Sequence, residues 1–333
     1  MILITGSAGY IGSHLQRFLF NKNEKCVGLD NLSNSTIDCS CVITRVGDLL
    51  NIEDIREVFN QHQNIDCVIH LADLNDIKNS IDNKQDYMDV NLTGTENLLK
   101  VMKEFSCNKI IFTSTSTVYD NCIITSIPIT DNPKSAPVSY KKVFTKIKET
   151  GVQKLIDNYS FTKLLAERLI EHNQDLRYSI LRLSEVIGYE DWYNLEKEFD
   201  KNKVMSSLIS SIQYNKAFKI DGNLYYPNSR KNPADHTLVK DYVDVRDVCN
   251  AIYLAYKYLD IHSHSIFNIS SSKDYSLLEV LEIFNNVNNT NIKYIIDKPI
   301  NSYKSFLVLD TTKAKELLRW KLDYSIEDSL KIV

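Results

Sequence analysis

Short runs rich in β-branched residues alternate with amphipathic stretches of helical length along the first half of this chain. The runs Ile2–Thr5, Lys25–Asp30, Val42–Val46, Cys67–Leu71, Lys109–Ser114 and Tyr178–Leu183 predict strands. Between them, Tyr10–Phe20, Asn51–Gln61, Tyr87–Phe105 and Val152–Asn173 predict helices. A strand–helix rhythm of this kind predicts an α/β fold, a doubly wound parallel sheet of Rossmann type with helices on both faces. After Glu185 the rhythm loosens. Helices are expected at Val204–Tyr214, Val245–Leu259, Ser276–Asn285 and Thr312–Leu318, and the polar, turn-rich stretch Asp221–Thr237 is expected to stay out of the core. The expected organisation is a dinucleotide-binding domain over residues 1–185, with a later return near 238–260. Residues 186–333 then form mainly a smaller C-terminal substrate lobe over the strand ends.

The chain has 333 residues, ample for such a core, and a net charge of −4 with mixed signs. That balance excludes the basic stripe of a nucleic-acid-binding surface. The lysine-rich run Lys141 to Lys148 reads as a solvated helix face rather than a binding patch. No run reaches the roughly 18 consecutive apolar residues of a membrane span. The first residues already form a core strand, so no signal peptide is expected. Seven cysteines, an odd number without C-x-x-C spacing, fit free thiols in a reducing, cytoplasmic setting. No metal site is expected.

Gly6, Gly9 and Gly12 lie between an apolar strand and an amphipathic helix. They suit a tight turn, close approach of backbone to a pyrophosphate, and close helix–strand packing. Phosphates placed there meet free N–H groups and the positive end of the helix dipole. Asp30 ends the next strand, 18 residues after Gly12, where a carboxylate can bind the adenosine ribose. An acid there repels a 2′-phosphate, so the cofactor expected is NAD rather than NADP. Asp48 follows the third strand and could reach the adenine edge.

Tyr159 and Lys163 are spaced i, i+4 in NYSFTKLLAERL and share one helix face. An ammonium and a nicotinamide cation nearby stabilise a phenolate, which can take a proton from a sugar hydroxyl as hydride leaves the carbon. Thr113–Tyr119 (TSTSTVY) supplies a strand end carrying hydroxyls that could hold the substrate oxygen beside the tyrosine.

The ordered blocks GSAGYIGSHL, DNLS, GDL, HLA, VNLTGTENLL, TSTSTVY, YSFTK and KDYVDVRDV resemble the extended short-chain dehydrogenase/reductase family. Within it the chain most resembles the nucleotide-sugar 4-epimerases of the UDP-glucose type, nearly end to end. The resemblance implies NAD contacts at Gly6, Gly9, Tyr10, Ile11, Gly12, Asp30, Asn31, Asp48, Leu49 and Asn91, with Leu71 and Asn75 lining the cofactor site. It implies Thr115 as the hydroxyl helper, Tyr159 as base and Lys163 on the nicotinamide ribose. Ser80, Thr115, Glu185 and Lys240 would face a nucleotide-sugar, expected to be UDP-linked. A homodimer paired through Tyr87–Phe105 and Val152–Asn173 is also implied.

Several positions depart from the family pattern. Glu185 replaces an Asn that binds the nucleotide-sugar, where a carboxylate is unfavourable unless neutralised. Lys240 replaces an Arg, keeping charge but losing the bidentate fork. Asp297–Leu309 has no arginine for the pyrophosphate, leaving Lys298 or Lys304 as stand-ins. Asp73 and Asp120 replace small residues, and Thr115 to Tyr159 is unusually long, with Lys141–Gly151 in the extra segment. Leu307, at the position controlling sugar size, does not separate glucose from N-acetylglucosamine. Three functions stay open: 4-epimerisation, another nucleotide-sugar reaction such as dehydration or decarboxylation, and NAD binding without turnover. Thr115 is followed by Ser116-Thr117 rather than the Asp-Glu of dehydratases, and Thr117 stands where decarboxylases have a glutamate.

Overall fold

The computed structural model describes residues 1–33, 43–129, 139–189, 204–221, 237–297 and 306–332. Seven parallel strands form the central sheet. From edge to edge they are His264–Ile269, Arg177–Leu183, Lys109–Thr115, Cys67–His70, Ile2–Thr5, Cys26–Asp30 and Thr44–Val46. Successive side chains on a strand point to opposite faces, and both faces here are apolar. Ile2 and Ile4 pack with the helices Tyr10–Asn21 and Val245–Tyr258, together with Trp320. Leu3 packs on the other side with the helices Ile52–Gln61, Gly94–Glu104 and Asn158–Glu171. The chain order reverses between Ile2–Thr5 and Cys67–His70, which opens a crevice at their carboxyl ends.

The second lobe is built on Val239–Asp244. This strand pairs antiparallel with Asp274–Ser276 and parallel with Phe306–Leu307 and Glu185–Ile187. Its core draws on the helices Val204–Gln213, Leu277–Asn288 and Ile326–Leu330.

The structure corrects several expectations. The helix expected over Val152–Asn173 begins only at Asn158, because the Asp157 carboxylate caps it by accepting from Ser160 N at 2.7 Å. Upstream of that cap the backbone is extended, and Gln153 bridges Tyr119. The stretch Tyr87–Phe105 is a composite: an α turn Lys84–Met88, a π turn Asp89–Thr93 and an α-helix Gly94–Glu104. The lysine run is not on a helix. Ser139–Thr145 is a strand paired antiparallel with Ile123–Ile129, so local pairing overrides the helical reading. The chain also returns to the central sheet beyond residue 260, through His264–Ile269. Residues 222–236 of the polar stretch, and Lys298 and Lys304, lie outside the described residues.

His70, at the end of a central strand, is fully enclosed. Its Nδ1 lies 2.7 Å from Thr5 Oγ1 and its Nε2 2.9 Å from Thr95 Oγ1. Burial pushes its pKa down from 6.5 to about 3, and the Lys163 charge adds to the effect. The folded protein therefore holds the ring neutral while the unfolded chain protonates it. Stability from this residue is intact above 6.5 and lost as pH falls toward 3, at up to about 1.4 kcal/mol per pH unit. His70→Gln should lose less stability than the wild type between about pH 7 and about pH 5. Urea midpoints at the two pH values check this, and equal losses in both proteins would refute it.

Candidate active site

The glycine turn is shaped by close backbone approach. Gly6 has φ +67°, and a Cβ there would lie 2.6 Å from Ala72 N on the neighbouring strand end. A Cβ on Gly12 would lie 2.1 Å from Gly6 O. Gly9 caps the helix Tyr10–Asn21 without a side-chain hydrogen bond, which leaves that helix N-terminus open to an anion. Asp30 ties this turn to the next strand: Oδ2 accepts from Ala8 N at 2.9 Å and Oδ1 from Leu32 N at 2.8 Å. Asn31 Nδ2 donates to Asp48 Oδ2 at 3.0 Å, so these two expected cofactor residues stand together at the rim. The residues present fit a dinucleotide: a side-chain-free helix end, a turn that a Cβ would fill, and a carboxylate at the adjoining strand end.

Other expected contacts have structural duties. Leu49 is buried against Gly94, and its carbonyl accepts from Asn97. Tyr10 donates its hydroxyl to Gly188 O, and Ile11 and Leu71 pack on the apolar face of the sheet. Asn75 is exposed. Asn91, in the π turn, accepts from Leu74 N at 2.8 Å and donates to Leu74 O and Thr162 Oγ1. Both its amide hydrogens are used within the protein, so it shapes the loop 71–75.

Thr115, Tyr159 and Lys163 come together at the strand ends. All three are buried, and the Thr115 hydroxyl is close enough to the Tyr159 phenol to favour its ionised form. Burial pushes the Tyr159 phenol well above its ordinary 10, and the Asp73 carboxylate raises it further, while the Thr115 contact lowers it. Lys163 Nζ donates to Asp73 Oδ2 at 2.8 Å and lies 4.4 Å from the centre of the Phe112 ring.

Three further residues were not legible from spacing. Thr117 Oγ1 lies 3.0 Å from Thr115 Oγ1, and Ser160 Oγ contacts Thr117 Oγ1 and Asp157 Oδ2, each at 2.8 Å. They seat the helix Asn158–Glu171 on the hydroxyl turn. The one available signal was Asp157 three residues before Ser160, a cap spacing that marks the true helix start.

On the substrate side, Ser80 turns inward. Its Oγ donates to Ile77 O within its own short helix, and its carbonyl accepts from Asn158 Nδ2. Glu185 and Lys240 lie on neighbouring strands and pair at 2.7 Å, each side chain 28% exposed. The two departures therefore neutralise each other. Leu307 is buried and sits in register with Lys240.

A parallel sheet with a glycine turn at its switch point and a Thr/Tyr/Lys set beside it defines a nucleotide-dependent oxidoreductase-type scaffold. The model of the NAD dependent epimerase/dehydratase family matches residues 2–270. The chain belongs to that family. It is 29% identical over 340 residues to a UDP-glucose 4-epimerase of Lacticaseibacillus casei, covering 99% of this chain and 94% of the relative. A UDP-glucose 4-epimerase of Halalkalibacterium halodurans is 27% identical over 330 residues, covering 97% and 91%. Among solved structures, a UDP-glucose 4-epimerase from Bifidobacterium longum in complex with NAD+ and UDP superposes with a TM-score of 0.84. It shares 25% identity, over 99% of this chain and 95% of that one.

Gly12→Ala should force the turn open, destabilise the fold by about 1–3 kcal/mol and sharply weaken NAD retention. Denaturant unfolding and nucleotide released from the purified variant measure both. Full NAD retention would show that the turn has room to spare.

Proposed function

We propose that the protein is a NAD-dependent nucleotide-sugar 4-epimerase acting on a UDP-linked sugar. The observation that carries this reading is the convergence of Thr115, Tyr159 and Lys163 beside the open helix end of the glycine turn. Gly6, Gly9 and Gly12 cradle the pyrophosphate, and Asp30, Asn31 and Asp48 take the adenosine end. Lys163 holds the nicotinamide ribose. NAD supplies the chemistry of accepting hydride from sugar C4 and returning it, so it is regenerated in each cycle. Thr115 orients the 4-hydroxyl against Tyr159, and Tyr159 takes the hydroxyl proton. After the 4-keto sugar turns over in the pocket, so that its other face takes the hydride back, Tyr159 returns the proton to the 4-oxygen. Because proton and hydride both return, the reaction is an isomerisation.

We further infer two working lobes, with residues 1–185 holding the cofactor and 186–333 mainly enclosing the sugar nucleotide. A cytoplasmic setting is supported by the five described cysteines, all free thiols. No helix among the described residues is long and apolar enough to cross a membrane. A homodimer is supported by the family resemblance, with the helices Gly94–Glu104 and Asn158–Glu171 as the pairing surface.

A second reading, NAD binding without sugar turnover, has one observation in its favour: Glu185 holds the Lys240 ammonium that would otherwise meet a diphosphate. Reduced-nicotinamide absorbance during incubation with UDP-sugars separates the two. Transient reduction with interconversion of the 4-epimers is expected, whereas retained NAD with no spectral change and no sugar binding selects the second reading. Tyr159→Phe should cut turnover by at least about 10²-fold while leaving NAD bound. Unchanged turnover would remove Tyr159 from the mechanism. Sedimentation should give a dimer, and a strict monomer at micromolar concentration would exclude the proposed pairing.

A further inference from the structure

Lys163 is the cation nearest the reaction chemistry in this reading, yet its ammonium is already held. The side chain is only 2% exposed, and its partner Asp73 is 13% exposed. Asp73 sits three residues beyond the strand Cys67–His70, on the rim of the crevice, where the family pattern has a small residue. Nothing in folding a parallel sheet requires a carboxylate there. Burying one beside an ammonium costs desolvation of both ions, a cost that close pairing has to offset.

The charges around the Tyr159 hydroxyl are weighted against its ionisation. Asp73 reaches it from the loop after Cys67–His70, Asp157 from the cap of its own helix, and Glu185 from the second lobe. Each carboxylate disfavours a phenolate. Lys163, one turn along the same helix, has its ammonium on Asp73 at 2.8 Å. The Phe112 ring lies against its ammonium, and the neutral His70 shares its enclosure. Lys240 is spent on Glu185. Thr115 contributes a neutral hydroxyl. The Asp73 carboxylate thus both holds the Lys163 ammonium and bears on the phenol.

We propose that Asp73 is a positioning residue for the proton-transfer pair: it anchors the Lys163 ammonium at the crevice rim and sets the charge that faces Tyr159. The inference rests on Tyr159 being the proton acceptor of the proposed reaction and adds a residue that sets when it can act.

The test needs no sugar. The Tyr159 contribution to the phenolate absorbance of NAD-loaded, full-length protein is isolated by subtracting a Tyr159→Phe titration measured in parallel. In Asp73→Asn this component should titrate lower than in the wild type by about one pH unit, a roughly tenfold gain in phenolate at a given pH. Asp73→Glu, which keeps the charge, should titrate with the wild type. A purely structural role would lower stability in Asp73→Asn but leave its titration in place, and coincident curves would overturn the proposal. Asp73→Ala, carrying a small side chain, gives the same comparison if the asparagine variant does not fold. A protein that turns over no UDP-sugar but shows the displaced titration refutes the proposed reaction and leaves the role of Asp73 standing.

Discussion

The functional end of this molecule depends on the close approach of two backbones. Gly6 leaves the first strand in a left-handed conformation, and the space a Cβ would need is taken by Ala72 at the end of the adjacent strand. All seven strands run parallel, so their carboxyl ends share one edge, and the reversal of order at this pair leaves the crevice there. The contact fixes more than the turn. It sets where Leu71, Ala72 and Asp73 leave the sheet, and Asn91 then clamps the next residue, Leu74, through both backbone groups. That geometry delivers the Asp73 carboxylate to Lys163.

The helix carrying Tyr159 and Lys163 is held at both ends by polar contacts. Asp157 caps its start. Nearly three turns along, the buried Glu167 takes a bidentate contact from Arg182 on the strand Arg177–Leu183, at 2.6 and 3.0 Å. Arg182 also donates to the Tyr119 hydroxyl, which donates to Asn268. A buried ion pair adds little net stability over a well-packed apolar pair, although removing one partner costs about 3–5 kcal/mol. Its effect here is directional. It fixes the rotation of the helix, so that positions 159, 163 and 167 face the sheet together.

Electrostatics around the site follow a recurring arrangement in which ammoniums are matched by carboxylates. Lys163 is set against Asp73, and Lys240 against Glu185. The second pair is a neutral feature where Lys240 alone would have offered a positive charge. Read singly, Glu185 is a charge hostile to a diphosphate and Lys240 a weakened anion grip. As a pair on adjacent strands they are one neutral feature, and the partnership is a property of strand register.

The elements carried by local signals were legible in the chain. The strand–glycine–helix turn follows from apolar residues meeting glycines that relieve backbone crowding, and the i, i+4 spacing puts Tyr159 and Lys163 on one face wherever that helix lies. Signals from distant residues were not legible. The helix start at Asn158 was hidden because an apolar pattern runs upstream of the cap. The strand Ser139–Thr145 was hidden because its lysines suit a helix until a partner strand supplies hydrogen bonds. The seventh strand, His264–Ile269, takes its place only by pairing with Arg177–Leu183. The sequence by itself determined the fold class, the glycine turn and the shared helix face of Tyr159 and Lys163, because these rest on spacing along the chain. The tertiary structure alone decided which charge meets which. Asp73 and Lys163 are ninety residues apart and Glu185 and Lys240 fifty-five, and only the packed sheet brings each pair within 3 Å.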